Sequence, residues 1–236
     1  MKILGLDTAT EICSVALLLQ DGAAATAPTV LARELPPGTG HSAHVLSLIQ
    51  AVLAEAGVTL TDLDCIAFGR GPGGFTGVRL AASVTQGLAY GAGLPVVPVS
   101  DLLAVAQQVL DGSPGAASVL VCNDARMQEV YWTWAMRGAD GLAVAGGPER
   151  VGSPDTVQLP SGPPGSLMGA GRGFAVWPQL APRLGLAEAS VRAQLLPRAR
   201  EIVRLAVPQW LAGQAVAPQE AQPTYLRDDV AKPSRK

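Results

Sequence analysis

Two distant segments of the sequence share one layout, and this repeat restricts the fold more than any other feature of the chain. Residues 2–8 and 12–20 read as two apolar strands joined by a short polar turn. Residues 118–137 repeat the order of apolar strand, aspartate, polar turn and second strand, so that Asp124 stands where Asp7 stood, 117 positions earlier. This self-similarity predicts an internal duplication, although strand–turn–strand units are also common in unrelated folds.

The best candidate for a domain boundary lies between the two copies. Residues 111–115 read Asp-Gly-Ser-Pro-Gly, which is a run of turn-forming residues. We therefore expect an N-terminal lobe over residues 1–112 and a C-terminal lobe with an extended tail over residues 113–236.

Apolar periodicity and turn residues predict the remaining elements. In the first half they predict a hairpin turn at Asp21-Gly22, strands at 30–35, 64–69 and 95–99, and helices at 42–56, 76–91 and 101–110, the first capped by Gly57. In the second half they predict a loop at 152–165, a strand at 167–169, a helix at 193–211 broken near Pro197 and Pro208, and an extended tail from 217.

Composition limits the classes of function. Apolar residues make up 48% of the chain and charged residues 15%, so most of the length can bury a core. Lys and Arg number 17 against 19 Asp and Glu, without the basic excess of a protein that binds RNA alone, so a partner would supply positive charge for any RNA. Asp7 and Glu11 interrupt the apolar N-terminus, and no apolar run reaches the roughly 20 residues of a membrane span. We therefore expect a cytoplasmic protein without membrane contact, whose Cys13, Cys65 and Cys122 are reduced and buried.

A glycine-rich loop follows the predicted strand at 64–69. Residues 69–74 satisfy G-x-G-x-x-G, a pattern whose backbone N–H groups can hold a phosphate. Pro72 lacks one of these N–H groups, and Phe75 stands where a Walker A loop needs lysine. Two readings stay open: a tight strand-to-helix connection, or a phosphate site in which carboxylates hold Mg²⁺. The candidate residues for the second reading are Asp7, Gly71, Gly73 and Asp124, although both aspartates could equally cap turns.

The helix predicted after this loop is almost free of charge. Arg79 is the only charged residue in 76–91, and many of the others are glycine, alanine or serine. A helix that is apolar nearly all round must be covered on more than one side. The cover is either another helix of this chain or another protein.

Residue types typical of catalytic or metal sites are sparse. His41 and His44 are the only histidines and have no evident third ligand, so we expect no metal site. Ser42, Ser100 and Cys13 are available as nucleophiles, but no G-x-S-x-G motif and no base–nucleophile pair is present. A peptidase is therefore disfavoured, and we identify no catalytic residues.

Four linked segments resemble the bacterial TsaB family, also called YeaZ. They are ILGLDTATEICSVAL, AFGRGPGGFTGVRLAASVTQGLAYGAGLPVVPVS, NDARMQEVYW and PTYLRDDVA. The resemblance implies an α/β protein with the actin/Hsp70-like (ASKHA) fold of two ribonuclease-H-like lobes, in agreement with the suspected duplication. It covers most of residues 1–135 and the tail, while about 138–215 match poorly and carry no specific implication.

The resemblance also implies a function in a complex. Family members take part in forming N6-threonylcarbamoyladenosine next to the anticodon of tRNAs that read codons beginning with A. They act as the non-catalytic partner of the homologous transferase subunit TsaD, which a small ATPase, TsaE, joins. TsaD holds its metal with two histidines four residues apart after a strand that aligns with 95–99. In this sequence Asp101 and Val105 occupy those positions, which argues against independent transferase activity.

The same resemblance predicts the partner surface, because family members pair through N-terminal helices. We expect the helices at 42–56 and 76–91 to bind TsaD, or a second copy of this chain when TsaD is absent. The candidate interface residues are Val45, Leu48, Val52, Val78, Arg79, Ala82, Gln86 and Tyr90. This chain then requires no cofactor of its own, ATP and Mg²⁺ belong to partner subunits, and tRNA is reached through the complex. The alternative is a stand-alone ATPase of the actin/Hsp70-like superfamily.

Overall fold

The helices and strands occur in two successive sets, one in each half of the chain. The computed structural model describes residues 1–20, 28–159, 162 and 165–227. The first set is β1 (Lys2–Asp7), β2 (Cys13–Leu19), β3 (Thr29–Leu35), α1 (His41–Ala56), β4 (Cys65–Gly69), α2 (Phe75–Ala92), β5 (Val96–Val99) and α3 (Asp101–Gly112). The second set is β6 (Ala116–Asp124), β7 (Val130–Arg137), β8 (Ala143–Ala145), β9 (Arg150–Gly152), β10 (Ser166–Ala170), α4 (Gly173–Val176), α5 (Leu180–Arg183), β11 (Val191–Arg192) and α6 (Ala199–Leu211).

The two sets form two sheets with the same strand order. In the first sheet the order is β3-β2-β1-β4-β5, with β2 antiparallel to β1 and β4 parallel to it. In the second the order is β8-β7-β6-β10-β11, with β7 antiparallel to β6 and β10 parallel to it. β6 and β7 thus repeat β1 and β2, and the predicted fold is confirmed: an α/β protein of two ribonuclease-H-like lobes in the actin/Hsp70-like arrangement.

The first sheet is buried on both faces, which explains the continuous apolar runs of its central strands. On β1, Ile3 belongs to the core that α3 and α6 share, whereas Leu4 and Leu6 pack with residues of α1 and α2. The helix α1 lies against β2 and β3, and α2 lies against β4 and β1. Gly57 ends α1 in the left-handed conformation, as predicted.

Each sheet is also covered by a helix from the other half of the chain. The helix α6 packs on β1, β2, β4 and β5, α3 packs on β6, β7, β8 and β10, and the two helices contact each other. Gly5 permits this close packing, because a Cβ atom there would overlap the side chain of Val203. The buried Ser14 hydroxyl accepts the Ala199 N–H at 2.9 Å and so satisfies the start of α6. The two lobes are therefore joined by exchanged helices.

Several predicted boundaries need correction. The last helix begins at Ala199 instead of 193, beyond Pro197, and it continues through Pro208. Pro208 lies in the last turn of the helix and has no N–H to donate, but its carbonyl still accepts the Ala212 N–H at 3.0 Å. The tail includes a 3₁₀ turn at Pro218–Glu220. The predicted hairpin turn at Asp21-Gly22 lies outside the described residues, although β2 and β3 do pair antiparallel.

Candidate functional site

The two connections between the repeated strand pairs, β1–β2 and β6–β7, face a cleft of about 700 Å³. One wall is formed by the β1–β2 turn, residues 8–11, and by residues 73–78, which include the first turn of α2. The opposite wall contains residues 123–126, which comprise the end of β6 and the start of the β6–β7 turn, together with Arg172. Residues 224–227 of the C-terminal tail complete the lining. The duplication thus places equivalent turns on both sides of one cleft.

The β6–β7 turn has an unusual backbone. Arg126, Met127 and Gln128 have φ angles of 59°, 51° and 62°, and each such non-glycine residue costs about 1–2 kcal/mol. The carboxylate of Asp124 accepts the Arg126 N–H at 3.0 Å and stabilises the turn. The sequence carries no glycine here to signal this conformation.

Ion pairs cross the cleft at Glu11. Its carboxylate lies 3.0 Å from a guanidinium nitrogen of Arg172 and 3.5 Å from one of Arg126. Arg126 is 76% exposed and also pairs with Asp124 at 3.1 Å. Each of these exposed pairs contributes at most about 1 kcal/mol.

The glycines of the 69–74 loop are explained by close packing and by backbone conformation. A Cβ at Gly69 would overlap the carboxyl groups of Asp7 and Asp101, and one at Gly73 would lie 2.7 Å from the Ala9 Cβ. Gly71 has a φ of 96°, which favours glycine. Gly73 lines the cleft, whereas Gly71 lies outside its lining. This geometry supports the tight strand-to-helix connection.

Asp7 and Asp101 form a buried carboxyl pair beneath this loop. Both are 0% exposed, and Asp7 Oδ1 accepts the Ala9 N–H at 2.9 Å. The two carboxyls are hydrogen-bond partners of each other, and the Gly71 backbone also contacts the Asp101 carboxyl. Burial raises the pKa of Asp7, and burial and the Asp7 charge raise the pKa of Asp101 well above its usual value. The pair therefore keeps a proton to a higher pH than two separate, solvated carboxyls would.

The predicted nucleotide residues are thus only partly brought together. Asp124 and Gly73 line the cleft, whereas Asp7 points away from it toward Asp101. Sequence reasoning missed the carboxyl pair, although a signal existed. Asp7 ends β1 and Asp101 follows β5, and the carboxyl ends of parallel strands lie at the same edge of a sheet.

A second cluster that the sequence did not indicate joins the lobes beside the cleft, which its member Thr224 lines. Arg70 makes two hydrogen bonds to Glu149, at 2.9 and 3.1 Å, and one to the Thr224 hydroxyl at 2.7 Å. The hydroxyl of Ser100 donates to the same Glu149 carboxylate. Bidentate pairing of this kind fixes both partners, so the glycine loop, α3 and the tail are held together.

The candidate nucleophiles and metal ligands are dispersed. Ser42 and His41 line the cleft, with His41 Nε2 3.2 Å from the Glu11 carbonyl oxygen, and His44 is exposed. Within the described ranges no three His, Cys, Asp or Glu side chains group as metal ligands. The three cysteines are buried and free, as predicted. Burial raises the pKa of Cys13 to about 11 and of Cys65 to about 12, and it also raises the pKa of Cys122.

Most of the eight candidate interface side chains make contacts within the chain itself. Four of them are buried in the core of their own lobe: Val45, Val52, Val78 and Ala82. Leu48 packs partly against that core, whereas Tyr90 is 80% exposed. Arg79 and Gln86 contact the tail segment 221–227, which we call the C-terminal strap. The four buried side chains are therefore closed to a partner, whereas Tyr90 is open to one.

The solvent-exposed surface of α2 is a stripe of residues on a helix face that does not pack against the core. We call it the outer stripe, and it consists of Thr76, Leu80, Ser83, Gly87 and Gly91. All are exposed except the half-buried Leu80, and a Cβ atom on Gly87 or Gly91 would contact nothing within 4 Å. Leu46 of the neighbouring α1 is 51% exposed. This surface is uncharged and has short side chains, which permits close approach of another helix.

Comparison with known proteins identifies the family of the chain. The family model for TsaD, tRNA N6-adenosine threonylcarbamoyltransferase, matches residues 37–165. The tRNA threonylcarbamoyladenosine biosynthesis protein TsaB of Escherichia coli (strain K12) is 40% identical over 98% of this chain and 96% of its own length. The chain belongs to the TsaB family. TsaB of Haemophilus influenzae is 35% identical over 98% of this chain and 95% of its own length.

Solved structures agree with this assignment to the TsaB family. YeaZ from Pseudomonas aeruginosa superposes with a TM-score of 0.84 at 38% identity, over 95% of this chain and 99% of that one. A structure described as an uncharacterized protein with similarity to peptidase YEAZ, from the same organism, gives 0.85 at 39% identity over 96% and 99%. In the part of this chain that the structure describes, every helix is too short or too polar to cross a bilayer.

Proposed function

We propose that this chain is the non-catalytic subunit that a TsaD-like transferase needs to form threonylcarbamoyladenosine in tRNA. The names of the E. coli and H. influenzae relatives, which are 40% and 35% identical over nearly the whole chain, support a role in this biosynthesis. The match to the TsaD family model supports a homologous transferase as the partner. The modified position would be the adenosine next to the anticodon in tRNAs that read codons beginning with A.

One observation carries the non-catalytic assignment. Asp101 and Val105 stand where the family resemblance places the two metal-binding histidines of TsaD, and both are 0% exposed. The carboxyl of Asp101 faces Asp7, and Val105 lies in the core shared by α3 and α6. A valine side chain has no donor atom for a metal, so this pair of positions supports a subunit that leaves the transfer to its partner.

The outer stripe is the surface that we assign to the partner. It is exposed, uncharged and rich in glycine, whereas four of the residues first predicted for the interface are buried. TsaD would cover this stripe in the complex, and a second copy of this chain would cover it in isolation. A TsaE-like ATPase and tRNA would join through the complex, with ATP and Mg²⁺ handled by the partner subunits.

A charge on the outer stripe is expected to prevent assembly. Ser83→Glu places a carboxylate on an exposed position of α2, and burying it without a partner should weaken binding to TsaD at least tenfold. Binding is measured by calorimetry or by analytical ultracentrifugation, and modified nucleoside is measured by mass spectrometry of tRNA. Ser83→Ala is the matched control and should bind as the unaltered chain does. Normal assembly of Ser83→Glu would remove this surface from the proposal.

The neighbouring Ala82 is unsuitable for this test. It is only 3% exposed, so a charged side chain at this position would disrupt the fold.

The cleft favours a second candidate, a stand-alone ATPase. Its lining combines Gly73 and Asp124 with the exposed Arg126, groups that suit a nucleotide and its metal. Calorimetry with Mg-ATP separates the two proposals. Tight binding and steady hydrolysis by the isolated chain, both lost in Asp124→Asn, would favour the ATPase over the accessory subunit.

A further inference from the structure

The side chain of Arg79 is held by two aromatic rings. Its Cζ atom lies 3.2 Å from the centre of the Phe75 ring and 5.0 Å from the centre of the Tyr225 ring. Phe75 is 57% exposed and Tyr225 49% exposed, so both rings lie at the surface. Rings that lie over a guanidinium group stabilise its charge through cation–π contact but leave its N–H groups without acceptors.

One nitrogen of this guanidinium group has no acceptor among the residues that the structure describes. The terminal nitrogen Nη1 of Arg79 is buried and has no hydrogen-bond partner, and within the described residues no carboxylate pairs with this side chain. Two other arginines differ in this respect. Arg70, which contacts the C-terminal strap, binds Glu149, and Arg227, which belongs to the strap, binds Glu129. The side chain of Arg79 is half-buried, and its charge has no anionic partner within the described residues. Arg79 is therefore a candidate to bind an anionic group of another molecule.

Arg79 also borders the proposed partner surface. Arg79, Ser83, Gln86 and Tyr90 recur at intervals of four, three and four residues and so share one flank of α2. Ser83 belongs at the same time to the outer stripe. Because Arg79 is the only charged residue of α2, the surface offers a partner helix one positive group beside an uncharged face.

We propose that Arg79 is the polar anchor of this interface and binds a carboxylate of the TsaD-like partner. The inference rests on the proposed function and adds the chemistry of the contact. The Phe75 and Tyr225 rings hold the guanidinium group in place, which lowers the entropy lost on binding. Its planar fork suits the two oxygens of a carboxylate. A protein carboxylate is favoured over an RNA phosphate because the adjoining stripe carries no further positive charge.

The test is the affinity of purified Arg79 variants for the TsaD-like subunit at several salt concentrations. Arg79→Gln is expected to bind about 30-fold more weakly, the effect of losing an interface hot spot, and its affinity should depend less on salt. Arg79→Lys should recover part of the loss, because it keeps the charge but not the fork. Arg192→Gln removes the same charge from the second lobe and should change neither quantity. The thermal midpoint of each isolated variant verifies that it is folded.

The outcomes separate this inference from the proposed function. If Ser83→Glu prevents assembly while Arg79→Gln binds with unchanged affinity and salt dependence, the partner surface stands and the anchor is wrong. If neither variant changes binding, both are wrong. A normal complex of Arg79→Gln that has lost affinity only for tRNA would assign the Arg79 contact to a phosphate and overturn the carboxylate. Charge reversal gives further support when Arg79→Glu is rescued by replacing one partner carboxylate with lysine.

Discussion

Gly77→Ala is expected to destabilise the native chain by about 3 kcal/mol or more, whereas Gly87→Ala is expected to stabilise it by about 0.5–1 kcal/mol. Both glycines lie inside α2, so alanine improves helix propensity equally at both positions. They differ in their surroundings. A Cβ at Gly77 would overlap the carbonyl oxygen of Thr8 in the β1–β2 turn, while a Cβ at Gly87 would meet nothing within 4 Å. The atoms that a Cβ at Gly77 would meet are backbone atoms of Thr8 and Ala9, so no flexible side chain could move aside to make room.

The measurement is the free energy of unfolding from urea titrations of the two variants and the unaltered chain. Low protein concentration keeps self-association from contributing. Equal effects at the two positions, whatever their sign, would contradict the packing of α2 against the cleft turn. Since Thr8 Oγ1 also donates to the Gly77 carbonyl at 2.7 Å, the same result tests one wall of the cleft.

Glu201→Gln is expected to raise the stability at pH 8 by about 3 kcal/mol. Burial raises the pKa of Glu201 from 4.5 to about 7, and its Oε2 atom has no hydrogen-bond partner in the described residues. Between these two pH values the native state binds more protons than the unfolded state, so stability falls as pH rises and stays low above pH 7. Each unit of pKa difference is worth about 1.4 kcal/mol. Glutamine has nearly the same shape and no charge, so the variant avoids this loss.

The check is the free energy of unfolding between pH 4 and pH 8. The unaltered chain should lose stability over this range, and Glu201→Gln should lose about 3 kcal/mol less. Any slope that remains in the variant is assigned to the Asp7–Asp101 pair, whose raised pKa values act in the same direction. Glu188→Gln, an exposed position, serves as the control and should keep the original profile. A parallel profile for Glu201→Gln would show that Glu201 is ionised in the native state.

The sequence predicted the central elements of both lobes because their patterns are local. The strands β1, β2, β6 and β7 are apolar runs that end in turn residues, and their repetition pointed to the duplication that the sheet order confirms. The second lobe was predicted less completely. Its strands β8, β9 and β11 span only two or three residues, too few for a pattern of alternation. The boundary at residues 112–113 stays a prediction.

The orientation of α2 could not be predicted from the sequence, for a physical reason. A helix without a charged face does not mark its solvent side, so the buried Val78 and Ala82 looked no different from the half-buried Leu80. Its polar residues Arg79 and Gln86 do not mark the solvent side either, because both are half-buried. They contact the C-terminal strap, whose residues lie more than 130 positions away in the chain. The carboxyl pair of Asp7 and Asp101 depends on a comparable long-range contact.

The most direct test of the accessory role is reconstitution of tRNA modification from purified components, with this chain present or left out. The TsaD-like and TsaE-like subunits, the synthase, substrates and tRNA are held constant, and threonylcarbamoyladenosine is measured by mass spectrometry. We expect the nucleoside to form only when this chain is added, and a variant defective in assembly, such as Ser83→Glu, to fail to replace it. Full modification in the absence of the chain would contradict the account.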